Sequence, residues 1–169
     1  GYGDIFQFVR YLPILDQMGA NVIFKCPDSL INLFIQSNLN ANIISEKVSD
    51  DSIEFDYYTY LLSIPMYLGT NLQNIPFCDK YLNCDPEKSS YYRQKYFNTD
   101  KFKIGISWKG NPNHPNDRNR STALKYYEKF SNISKIKVYS FQKDLTENEK
   151  ELLEKFGYVD IAETFSDFS

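Results

Sequence analysis

Apolar residues recur at helical spacing from the start of the chain: Ile5, Phe8, Val9, Leu12, Leu15 and Met18, with Gly19 closing the run. Pro13 lies inside this run and predicts a bend or one loosened turn. Residues 21–25 read as a strand. Pro27 and Asp28 then open a second helix with Leu30, Leu33 and Phe34 inward. Ile43 and Ile44 mark a short strand, and residues 57–62 another. Residues 63–70 read as a strand end turning into a short helix. Residues 71–82 have no period and contain Pro76, which predicts a loop. Asp85 and Pro86 make a helix start, proline being well tolerated at a first helical position, and that helix runs to Tyr96 or Phe97.

A polar hinge at residues 98–101 precedes a restart of the pattern. Residues 103–107 read as a buried strand, 123–130 as a helix and 137–142 as a strand. Thr146 with Glu149 forms a capping box, opening a helix that ends at Gly157, and residues 158–162 form a last strand. Strands and helices alternate throughout, which predicts a mostly parallel sheet in each half. The restart places one unit at 1–98 and a second at 101–169. The second offers about three strands, fewer than the usual open sheet.

Composition adds limits. A chain of 169 residues, 42% hydrophobic and 17% aromatic, has the material for a sizeable core. The formal net charge of -3 argues against non-specific nucleic-acid binding, which needs a basic footprint. No segment is long and apolar enough to span a bilayer, and no signal peptide is visible. Three cysteines, Cys26, Cys78 and Cys84, fit reduced thiols in a cytoplasmic protein better than a disulfide framework. Cys78, Cys84 and the single His114 match no usual zinc spacing. Gly1-Tyr2-Gly3-Asp4 at one end and Asp167-Phe168-Ser169 at the other both read as cut, as in a fragment of a longer protein.

Candidate chemistry concentrates in two places. The 103–107 strand runs into Trp108-Lys109-Gly110-Asn111, and Asp117-Arg118-Asn119-Arg120-Ser121 follows shortly after. Loops leaving the C-terminal ends of parallel strands are where open α/β proteins hold ligands. Two guanidiniums near a Gly-Asn turn suit phosphate oxygens, and a solvated connection is the competing reading. At the other place, Gly3 permits close backbone approach and Asp4 sits at a helix start. The Asp4 carboxylate suits either an N-cap or a general base. Arg10, on the same helix, either reaches a phosphate or covers the helix surface. Phe55, Tyr57, Tyr58 and Tyr60 read as core and rim rather than as a sugar platform.

The opening Gly-Tyr-Gly-Asp-Ile-Phe-Gln-Phe-Val-Arg-Tyr-Leu-Pro, residues 1–13, resembles the start of the glycosyltransferase-like domain that follows tetratricopeptide repeats in many bacterial proteins. The run 105–121 resembles that group's second signature. Leu62-Ser63-Ile64-Pro65, Leu68-Gly69-Thr70 and, more weakly, Asp79-Lys80-Tyr81-Leu82 lie between them in the expected order. The group is related to heptosyltransferases. The resemblance implies an α/β protein of GT-B type: two Rossmann-like units with mostly parallel sheets, facing across a cleft, the first lacking its first strand and the second truncated. It implies inverting sugar transfer from a nucleotide-diphosphate sugar to an acceptor, glycan or protein, without metal or cofactor.

The resemblance also assigns roles. Asp4 becomes the general base, beside Gly3. Lys109, Asn111, Arg118, Arg120 and Ser121 become the groups that hold the donor diphosphate, although this loop departs in length and residues from the heptosyltransferases. A reading of a different class is a non-catalytic module that binds a sugar nucleotide or a protein partner, since fold does not fix function. A purely structural α/β domain is a third.

Overall fold

A computed structural model describes residues 1–77, 80–165 and 167–168. The chain divides into two compact units, Gly1–Ser89 with Asp167–Ser169, and Ser90–Ser166. The division falls inside a helix rather than at the polar hinge that the sequence pattern favours. Both units are mixed α/β, and both sheets are parallel.

The first unit opens with α1 (Tyr2–Phe8), a 3-10 turn (Val9–Tyr11) and α2 (Leu12–Gln17). The break has the expected cause. Pro13 falls at the start of α2, where its missing N–H costs nothing, and the tighter turn before it absorbs the mismatch. Gly19, at φ +90°, turns the chain out of the helix. β1 (Ile23–Cys26), α3 (Asp28–Ser37) and β2 (Asn42–Ser45) then form one βαβ unit, β1 pairing with β2 from Ile23↔Asn42 to Cys26↔Ser45. Leu30, Leu33 and Phe34 give α3 its buried face, against Val9, Leu12 and Cys26.

The strand expected at residues 57–62 does not form. A single 3-10 turn (Leu61–Ser63) leads directly into α4 (Ile64–Tyr67), with Pro65 in its first turn. The preceding aromatics bury no face: Tyr57 is 94% exposed, Tyr58 78% and Tyr60 76%, so the core-and-rim reading of this segment is corrected. A strand needs a partner and a buried side to persist, and this segment has neither. The expected loop at 71–82 holds for its described residues; Cys78 and Asp79 lie outside them.

α5 (Pro86–Tyr96) starts where expected, with Asp85 Oδ1 accepting the Glu87 backbone N–H at 2.7 Å. In the second unit β3 (Phe102–Ile106), β4 (Ile136–Ser140) and β5 (Val159–Asp160) form a sheet in the order β3-β4-β5. The crossover between β3 and β4 is a 3-10 helix (Leu124–Asn132) instead of the α-helix that the sequence predicts. Leu124, Tyr127 and Phe130 recur at intervals of three and all pack on the core, so a three-residue turn stacks them in one stripe. α6 (Glu147–Phe156) carries the expected capping box: Glu149 N–H donates to Thr146 Oγ1 and Thr146 N–H to Glu149 Oε2, at 3.3 and 2.9 Å. Gly157, left-handed at φ +67°, ends it.

Candidate functional site

The loop after β3 is built on Gln142, which follows β4. The Gln142 side-chain oxygen accepts from Ser107 Oγ, Trp108 N and Lys109 N at 3.2, 3.0 and 2.9 Å. Gln142 is itself buried. One amide therefore fixes the exits of two neighbouring parallel strands. Beyond it the loop closes on itself. Thr122 N–H donates to the Trp108 carbonyl at 2.7 Å, and Gly110 N–H donates to Ser121 Oγ at 2.9 Å. Ser121 Oγ in turn donates to Asp117 Oδ1 at 2.7 Å.

Inside that closure Asn111 Oδ1 accepts the Asn113 N–H at 2.9 Å, and His114 Nδ1 accepts the Asn116 N–H at 3.1 Å. A 3-10 turn, Asp117–Asn119, carries Arg118 outward. A Cβ added at Gly110 would lie 3.3 Å from Asp117 Oδ1 and 3.4 Å from Arg120 Nη2, so the Arg120 side chain packs over the Gly110 backbone. Arg118 and Arg120 are exposed. Neither guanidinium has an ion pair or a side-chain hydrogen bond among the described residues.

Lys109 is placed differently. Its Nζ lies 2.6 Å from Glu149 Oε2 and 3.1 Å from the Asp144 carbonyl. Glu149 Oε1 accepts the Trp108 indole N–H at 2.8 Å. Burial raises the Glu149 carboxyl. Hydrogen bonds from Lys109, the Thr146 backbone, Trp108 and the Thr146 hydroxyl outweigh that and hold it down at about 2. The Lys109 charge is thus already balanced by the helix that the capping box opens.

In the first unit Asp4 is the third residue of α1 and not its cap, so the N-cap reading is corrected: Gly1 occupies that position. The exposed Asp4 carboxylate reaches back to the Gly1 amine at 2.8 Å. That hydrogen bond, and then the amine's charge, hold it below the usual carboxylate range. Gly3 lies within the first helical turn, and a Cβ there would meet nothing within 4 Å. Its backbone therefore does not require glycine.

The structure thus brings Gly110, Asp117, Arg120 and Ser121 together, keeps Asn111 and Arg118 on the same loop, and pairs Lys109 away from them. Sequence reasoning missed Gln142 and Asp117, and took Glu149 only as half of a capping box. No local pattern marks Gln142; its role follows from parallel pairing of β3 with β4. No group of three or more His, Cys, Asp or Glu residues suited to a metal is present among the described residues. No helix of the described residues is long and apolar enough to cross a membrane. Comparisons with protein-family models, curated proteins and solved structures found no match to this chain.

Proposed function

We propose that the chain is a glycosyltransferase-like domain of GT-B type, transferring a sugar with inversion from a nucleotide-diphosphate donor. One observation carries the reading. A preformed loop at the C-terminal end of a parallel strand presents Arg118 and Arg120 with no anionic partner among the described residues, an arrangement suited to a diphosphate. The ordered motifs of the sequence support the same assignment.

The resemblance assigns to Asp4 the proton that an acceptor hydroxyl gives up as its oxygen bonds to the anomeric carbon. The bond from that carbon to the diphosphate oxygen breaks, and the arginines offset the charge that the leaving group gains. Asn111 and Ser121 hold the loop that carries them. Lys109 contributes by fixing the loop's root against Glu149, and so adds no free charge.

The balanced Lys109 and the exposed position of Asp4 favour a second reading, a module that binds a sugar nucleotide without turning it over. The test is release of nucleoside diphosphate from a panel of nucleotide sugars. Release by the wild-type chain that falls about 100-fold or more in Asp4→Asn, with donor affinity kept, supports the transferase. Equal release by the variant excludes Asp4 as base. Saturable donor binding with no release across the panel selects the binding module.

A further inference from the structure

The first unit contains a cavity of about 320 Å3, lined on one side by Gln7, Phe8, Arg10 and Tyr11 and on the other by the 70–75 segment. Arg10 enters its wall half-buried and, among the described residues, is oriented by neutral groups. Its Nε donates to the Gln7 carbonyl at 2.9 Å, Nη2 to the Tyr81 hydroxyl at 2.9 Å and Nη1 to the Pro76 carbonyl at 3.4 Å. The Tyr81 ring centre lies 4.4 Å from the guanidinium carbon. The Tyr81 hydroxyl spends its own proton on the Phe6 carbonyl at 2.8 Å, so it can only accept from Arg10. Arg10 forms no ion pair among the described residues. A guanidinium has five N–H donors, and three are engaged here.

Tyr11 supplies the second observation. It is 4% exposed and lines the cavity. Its hydroxyl has no hydrogen-bond partner among the described residues. No sealed side-chain polar atom among them lacks a partner, so this hydroxyl keeps an open face. A fixed cation with no counter-charge and a phenol with no hydrogen-bond partner, both among the described residues, thus line one cavity. One oxyanion answers both. Phe8, Leu72 and Ile75 add apolar surface beside the polar Gln7, Thr70 and Asn71.

We propose that this cavity binds the oxyanion of a small organic molecule, a carboxylate or a phosphate monoester on a compact apolar body. Arg10 pairs with the charge and the Tyr11 hydroxyl donates to one of its oxygens. The site stands on the first unit alone and does not depend on the transferase reading.

The test is NMR titration of the ¹⁵N-labelled chain with phenyl phosphate, benzoate and neutral benzyl alcohol. Saturable shifts of the 7–11 and 70–75 amides with at least one anion, and none with benzyl alcohol, are expected. Which anion saturates identifies the oxyanion. Arg10→Gln should weaken binding about tenfold or more, and the isosteric Tyr11→Phe about fivefold. Tyr11→Phe keeps the fold even where Arg10→Gln loosens the Pro76–Tyr81 contacts. Saturation by neither anion, equal binding of benzyl alcohol, or unchanged affinity in Tyr11→Phe overturns the assignment.

Discussion

Glu149→Gln perturbs the joint on which the loop after β3 rests. In the folded chain the Glu149 carboxyl lies at about 2, against an ordinary value of 4.5. A folded value below the unfolded one stabilises the chain above pH 4.5, and that stability is lost as pH falls from 4.5 towards 2. At about 1.36 kcal/mol per unit, the difference corresponds to about 3 kcal/mol at neutral pH. With 16% of the Glu149 side chain and 26% of the Lys109 side chain exposed, solvent screening trims this. Glutamine keeps the size and one acceptor for the Trp108 indole, but leaves Lys109 without its counter-charge. The assay is urea unfolding of wild type and Glu149→Gln at several pH values between 3 and 7. The expected gap is about 2–3 kcal/mol at pH 7, shrinking to less than half of that at pH 3, because a protonated glutamate and a glutamine are near equivalents. Asp4 and Asp28 also lie below their ordinary range, but act alike in both proteins and cancel in the difference. A gap that stays constant across this range would refute the coupling.

Gly105→Ala should cost roughly 1–2 kcal/mol by chemical denaturation, because the added Cβ would lie 2.7 Å from the Phe141 ring; the cost should shrink in a Phe141→Ala background. Burial, with Glu46 and Asp28 adding to it, pushes the Cys26 thiol up to about 11. In a Cys78→Ser background a thiol reagent at pH 8 should therefore label the exposed Cys84 quickly and Cys26 only after unfolding, read by mass spectrometry.

Much of the fold was legible because it rests on local rules. Pro13 broke the first helix, Pro27 and Asp28 began the next, and Thr146 with Glu149 opened α6. The misses have physical causes. Tyr57, Tyr58 and Tyr60 look like strand residues by propensity, yet a strand needs a neighbour that the local sequence does not reveal. The 124–132 crossover has an apolar period of three, which a search for the α-helical period reads as an imperfect helix. At the candidate site, residue types located the loop and its arginines. They did not reveal that Lys109 is neutralised by Glu149, nor that Gln142 holds three donors from another strand's exit. Both depend on parallel pairing between segments far apart in the chain. Arg10, read as surface cover or phosphate reach, is half-buried and also ties the turn after α1 to the loop at Pro76 and Tyr81, contacts that no local pattern announces.

The central claim is that Arg118 and Arg120 hold a diphosphate on a loop preformed for it. Calorimetric titration of the chain with UDP, GDP and ADP, repeated on Arg118→Gln/Arg120→Gln, tests it most directly. The account predicts saturable binding of at least one nucleotide, weakened about tenfold or more in the double variant and falling with added salt. Binding of equal strength in the variant, or none to the wild-type chain, would contradict it.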